Sequence, residues 1–198
     1  MRLGVFGGTF DPPHLGHLIL AAEAADQLAL DRVLWVLTPN SPFKQGARIS
    51  PLEVRLELLQ AAIADLPGHV FSDVEIRRPA PQYALDTILQ LKQDYPGDAL
   101  IYLVGGDSLR DLPRWHRPQE LLEALDGLGI MRRPGARIDL PRLEGLLPGL
   151  TAKLHWVNAP LIQISASDIR QRLRQGRAYR FFVPEKVYQI IESRKLYR

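Results

Sequence analysis

The 198-residue chain contains no cysteine, two methionines and few aromatic residues, 8% of the total. Without cysteine it can form neither disulfides nor thiolate metal sites. It has no apolar run approaching the roughly 20 residues needed to span a bilayer. Its first residues lead directly into an apolar run, without the charged region, long apolar segment and cleavage site of a secretory signal. A cytoplasmic location, away from membranes, is the expectation. An excess of one charge is also missing: 25 basic residues face 22 acidic ones, a net charge of +3. Arginine supplies most of the basic residues. That small balance suits an anionic small ligand. With no interleaved aromatic platform and no zinc-finger spacing, it does not point to nucleic acid. Most of the arginines read as a solvated surface.

What is present is ordinary for a soluble globular protein: 46% apolar and 24% charged residues, in a chain long enough to bury one sizeable core. Neither internal repeats nor low-complexity segments occur. Apolar runs at Leu3–Phe6, Arg32–Thr38, Val70–Ile76, Ala99–Val104, Leu128–Met131 and Lys153–Val157 read as strands, several buried on both faces. Helical patterns occupy the intervals, at 18–28, from Ser50-Pro51-Leu52-Glu53 to Pro67-Gly68, at Tyr83–Asp94 and at Pro118–Leu125. Ser50 is the expected N-cap of the second, with Glu53 completing a capping box. Arg132–Leu150 is rich in proline and glycine and reads as a surface excursion. Two more helices follow, one opening at Ser165 and closed by Gly176, the other at Pro184–Ser193. Strands alternating with helices imply an α/β fold, a doubly wound and mostly parallel sheet that binds ligands beyond the carboxyl ends of its strands. One domain over 1–198 is expected, with a helical C-terminal part over about 164–198.

Chemistry concentrates at strand ends. Gly7-Gly8-Thr9-Phe10-Asp11-Pro12-Pro13-His14-Leu15-Gly16-His17 is a strand-to-helix turn. Exposed amides and the positive end of a helix dipole make such a turn an anion site. Its helix is expected to start near Pro13, with His14 and His17 three residues apart on one face. Gly16 between them leaves out a side chain that would block a ligand. A second glycine pair, Gly105-Gly106-Asp107-Ser108, ends another strand. Ile164-Ser165-Ala166-Ser167-Asp168-Ile169-Arg170 opens a capped helix, with Ser165 as N-cap.

The His14-Leu15-Gly16-His17 element, preceded by Gly-Gly-Thr-Phe-Asp-Pro, resembles the (T/H)xGH signature of the nucleotidyltransferase superfamily, whose members have a Rossmann-like fold. Residues 164–170 match the superfamily's second signature, ISSTxIR. Further landmarks are Pro39-Asn40, Lys44, Gly105-Gly106-Asp107-Ser108-Leu109, Trp115, Arg132-Arg133-Pro134 and the terminal Leu196-Tyr197-Arg198. With them the whole chain is similar to the bacterial nicotinate-nucleotide adenylyltransferases. That resemblance implies transfer of the adenylyl group of ATP to nicotinate mononucleotide, giving deamido-NAD and pyrophosphate, with magnesium carried mostly by ATP and water. It also implies roles. His14, His17, Lys44 and Arg170 would act on the phosphates. Gly7, Gly8, Thr9, Phe10, Gly105, Asp107, Ser165 and Ser167 would bind ATP, Phe10 through its amide. Tyr83, Ala84, Trp115 and Arg133 would receive the acceptor. No protein-held metal is implied, and the oligomeric state stays open, a homo-oligomer included.

Each role has a structural alternative. The histidines could share a metal, Trp115 could be a packing anchor, Asp107 a turn residue, and Arg170 and Lys44 solvated. Two departures bear on the acceptor. The family's Pro-Pro-His-Lys is Ser41-Pro42-Phe43-Lys44 here, and its Ser-Tyr-Thr is Gln82-Tyr83-Ala84. Adenylyl transfer to nicotinamide mononucleotide or phosphopantetheine is therefore the rival within the class, and a catalytically silent nucleotide-binding module the rival outside it.

Overall fold

A computed structural model of the chain describes residues 1–40, 49–131, 138–160 and 163–198. Lys44, Phe43 and Arg133 lie outside the described residues. The strands β1 (Arg2–Gly8), β2 (Arg32–Leu37), β3 (His69–Ser72), β4 (Ala99–Gly105), β5 (Gly127–Met131) and β6 (Leu154–Val157) form one sheet in the order β3-β2-β1-β4-β5-β6. Every neighbouring pair is parallel. This is the Rossmann-like, doubly wound sheet expected from the alternation. Its strand order reverses between β1 and β4, the switch point where the ends of two strands diverge and leave a crevice.

Helices α1 (Leu15–Gln27), α2 (Leu52–Ile63), α3 (Ala84–Asp94), α4 (Gly106–Asp111), α5 (Pro118–Ala124), α6 (Leu140–Leu146), α7 (Leu150–Lys153), α8 (Ala166–Arg174) and α9 (Glu185–Ser193) cover the two faces. Alternate strand residues feed opposite cores. Phe6, Trp35, Leu37 and Leu103 meet Ala24, Leu58, Ile169, Val187 and Ile191 of α1, α2, α8 and α9. Leu3, Leu34, Val36 and Ile130 meet Leu85, Ile88, Leu121 and Leu143 of α3, α5 and α6. The C-terminal helices thus share a core with the helices that follow β1 and β2.

Local boundaries differ from the sequence expectation in four places. The first helix starts at Leu15 rather than near Pro13, because His14 is extended (φ −146°, ψ 168°) and serves as N-cap. The second starts at Leu52. Ser50 does not cap it: its hydroxyl engages Tyr197, its N–H donates to Asp11 and its carbonyl accepts from Arg55. The third strand stops at Ser72, because Asp73 to Arg77 closes a turn, with Arg77 N–H donating to the Asp73 carbonyl and its guanidinium 3.0 Å from the Asp73 carboxylate. The described part of the expected surface excursion is built structure. Asp139 caps α6 by accepting from the Arg142 N–H at 3.0 Å, and Leu143, Leu147 and Leu150 are buried. Ser165 does cap α8, accepting from the Asp168 N–H at 3.1 Å, and Gly176 follows that helix with φ +66°.

Candidate active site

The switch-point crevice is a cleft of about 660 Å³. Gly7, Gly8 and Thr9 line it from the end of β1, Thr38 from the end of β2, and Tyr102 from β4. Glu75, Gln82, Tyr83 and Ala84 line the side toward α3, and Asp107, Ser108, Asp111, Arg114, Trp115 and His116 the side toward α4. Of the expected ligand-binding residues, Gly7, Gly8, Thr9, Asp107, Tyr83, Ala84 and Trp115 are therefore brought together. Gly105 is the last residue of β4 and the N-cap of α4. A β-carbon there would meet nothing within 4 Å.

The turn after β1 runs along one rim. Phe10 takes a left-handed φ of 44° and buries its ring against Phe6, His17 and Trp35. A side chain at Gly8 would come within 2.9 Å of that ring, so the glycine makes room for Phe10. At Gly16 a β-carbon would press on the His14 ring at 3.1 Å. The glycine therefore protects the placement of a histidine, where the sequence suggested that it clears space for a ligand. The two histidine rings stack with centroids 3.7 Å apart. The His14 N–H donates to His17 Nδ1 at 3.2 Å. A neutral His17 accepting at Nδ1 carries its proton on Nε2, the ring edge away from the backbone.

The N-terminus of α8 lies beside this turn. Arg170 Nη1 donates to the Asp11 carbonyl at 2.6 Å and stands 3.8 Å from its carboxylate. Ser165 and Ser167 hydroxyls are 3.0 Å apart at the start of the same helix. Arg170 thus joins the start of α8, with Ser165 and Ser167, to the turn that carries His14 and His17, and these five are not among the residues that line the cleft.

Three supporting residues, Arg55, Glu75 and Arg78, had no assigned role in the sequence. Arg55, 2% exposed, donates to the carbonyls of Ser50, Thr9, Thr38 and Pro39 and so ties the ends of β1 and β2 together. Burial lowers its pKa, and the neighbouring Asp11 opposes that shift. Its signal was a charge inside the apolar stripe Val54-Leu58-Leu59-Ala62. Glu75, 4% exposed, stands on the turn after β3, where its Oε1 accepts from the Thr87 hydroxyl at 2.7 Å. Burial pushes its carboxyl above the usual glutamate range, against the Thr87 and Thr38 hydroxyls and Arg78. Arg78 donates to Thr87 Oγ1 at 3.0 Å and accepts at its carbonyl from the Gln82 amide at 3.2 Å, which fixes the loop leading into α3. Tyr83, the N-cap of α3, offers no side-chain cap to the first amides of that helix. Its ring stacks on His116 at 4.0 Å. Trp115 meets Tyr102 edge to face.

The family model for cytidylyltransferase-like proteins matches residues 5–172. A relative from Thermomicrobium roseum, named as a nicotinate-nucleotide adenylyltransferase, is 44% identical over all of this chain and 92% of its own length. One of the same name from Exiguobacterium sibiricum is 42% identical over all of this chain and 99% of its own. Among solved structures, the nicotinic acid mononucleotide adenylyltransferase of Plasmodium falciparum complexed with NaAD superposes with a TM-score of 0.81, over 99% of this chain and 97% of that one. At 17% identity, that likeness concerns the fold. With full-length identity of this order to its bacterial relatives, the chain belongs to the nicotinate-nucleotide adenylyltransferase family.

Proposed function

We propose that this chain joins the phosphate of nicotinate mononucleotide to the adenylyl group of ATP, forming deamido-NAD and pyrophosphate. The observation that carries this reading is the switch-point cleft. At one end it has the Gly7-Gly8-Thr9 turn, and at the other an aromatic wall, Tyr83 at the start of α3 with Trp115 and His116 after α4. One end suits phosphate and the other a pyridine ring.

In the reaction, an oxygen of the acceptor phosphate forms a bond to the α-phosphorus of ATP, and the bond from that phosphorus to the bridging oxygen of the β-phosphate breaks. The nucleophile is already an anion, so no side chain has to remove a proton. Catalysis rests on aligning two polyanions and stabilising charge on the transferring group. His17, protonated on Nε2, and His14 donate to the phosphate oxygens, and Arg170 adds donors from α8. Lys44, Ser165 and Ser167 complete the phosphate contacts. The amides of Gly8, Thr9 and Phe10 line the turn, and Asp107 and the open space over Gly105 receive the nucleoside. On the acceptor side, Trp115 stacks on the pyridine ring, and the uncapped amides at the start of α3, from Ala84 onward, take the carboxylate. Arg133 contributes from beyond β5. Magnesium enters on the ATP phosphates as part of the substrate. Among the described residues no group of three or more His, Cys, Asp or Glu side chains forms a cage for it.

Purified protein given MgATP and nicotinate mononucleotide is expected to form deamido-NAD and pyrophosphate in equal amounts. Nucleotide binding without turnover would instead identify a silent binding module.

A further inference from the structure

Asp11 is 4% exposed and joins four segments of the chain. Its carbonyl accepts from Arg170 Nη1. Its Oδ2 accepts from the Ser50 N–H at 3.1 Å, ahead of α2. Its Oδ1 accepts from the hydroxyl of Tyr197, beyond α9, at 2.9 Å.

A loose tail would not keep a side chain there, and this tail is fastened. The Leu196 N–H donates to the Ile191 carbonyl at 3.0 Å, and Leu196 and Tyr197 pack against the core under α1 and α2. Arg198 pairs with Glu192 at 2.8 Å, and the Tyr179 hydroxyl donates to the other oxygen of that carboxylate at 2.6 Å. Tyr197 itself has a φ of 66°, a conformation that residues with a β-carbon seldom adopt. Packing and the Asp11 bond hold it there. Burial, together with the Asp11 carboxylate, raises the Tyr197 pKa above the ordinary tyrosine range, so the hydroxyl remains a donor.

We propose that Tyr197 is a positioning residue for adenylyl transfer: its hydroxyl fixes the Asp11 carboxylate, and Asp11 in turn fixes Arg170 at the phosphates. Without the hydroxyl, Oδ1 of a buried carboxylate loses its donor, a costly state that the side chain relieves by turning to another. Among the described residues, the cations Arg170 and Arg55 already neighbour Asp11. Drawing Arg170 onto the carboxylate takes its donors away from the phosphates. Misplacement by a fraction of an ångström to 1 Å is enough to slow a reaction that depends on alignment.

The inference rests on the proposed role of Arg170, and a double-mutant cycle separates the two. Tyr197→Phe, Arg170→Ala and the double variant are compared by kcat, by KM for both substrates and by thermal midpoint. Tyr197→Phe keeps the ring and its packing. It is expected to lower kcat about 10-fold with KM for the acceptor little changed, and to lower kcat less than about 2-fold in the Arg170→Ala background, because residues acting through one another are not additive. Equal losses in both backgrounds, or full activity of Tyr197→Phe beside a slow Arg170→Ala, would overturn the role of the tail alone. A fully active Arg170→Ala would overturn that role and the arginine's together. A Tyr197→Phe chain that does not fold would make the hydroxyl structural and also overturn it.

Discussion

His17 accepts the His14 N–H at Nδ1, and in the proposed reaction that small detail decides what the ring does. With Nδ1 accepting from His14 N–H, a neutral ring carries its proton on Nε2, and in the proposed reaction that N–H donates to a phosphate oxygen without the ring having to be cationic. His17→Ala is expected to lower kcat by roughly 10²–10³-fold, the cost of one donor to a developing oxyanion, with the fold intact by circular dichroism. A normal rate would remove the histidine from the mechanism. Glu75 is a second residue whose protonation matters. Its pKa is raised in the folded chain, chiefly by burial, so the native state binds more protons than the unfolded one. Its contribution to stability is full below the ordinary glutamate value and is lost as pH rises through the elevated one. Replacing Glu75 with Gln keeps a hydrogen-bonding group near Thr87 but removes the titration. Urea midpoints measured from about pH 5 to pH 8 should fall more steeply with rising pH in the parent chain than in Glu75→Gln. Parallel curves would contradict the assignment.

Elements with strong periodicity or caps were legible from sequence, and those shaped by tertiary contact were not. The run RVLWVL reads as a doubly buried strand because Leu34 and Val36 face one core while Val33, Trp35 and Leu37 face the other. Ser165 reads as a cap and is one. Ser50 carries the same local signal, but Asp11 and Tyr197, distant in sequence, take its N–H and its hydroxyl, and the helix starts later. The stretch 138–153 has little periodicity because α6 and α7 span only seven and four residues. Its burial rests on a few leucines whose partners are remote in sequence. Leu150, fully buried, tests this. Leu150→Ala is expected to cost about 2–4 kcal/mol, as deletion of a buried leucine generally does, read as a lower urea midpoint. A cost near zero would restore the surface-excursion reading. Most of the candidate site was visible as motifs, whereas its supports, Arg55, Glu75, Arg78 and the Asp11–Tyr197 bond, were not. They are single polar residues whose roles exist only once strands and helices have assembled.

In the whole molecule, the parallel sheet sets the site and the C-terminal helices complete it. The switch point between β1 and β4 opens the cleft, and α8, packed in the same core as α1 and α2, brings Arg170 to the turn that carries the histidines. That architecture accounts for adenylyl transfer better than for the choice of acceptor. In the proposed reaction that choice falls to the start of α3, where Gln82 is occupied with Arg78 and Ala84 offers only its backbone. Amides at a helix N-terminus favour a carboxylate over a neutral carboxamide. The most direct measurement is pyrophosphate release with MgATP and, in parallel, nicotinate mononucleotide, nicotinamide mononucleotide and phosphopantetheine, compared by kcat/KM. The acid is expected to be the best acceptor by at least about 10-fold, the effect of roughly 1.4 kcal/mol; equal or reversed preference between acid and amide, or a faster reaction with phosphopantetheine, would contradict the account.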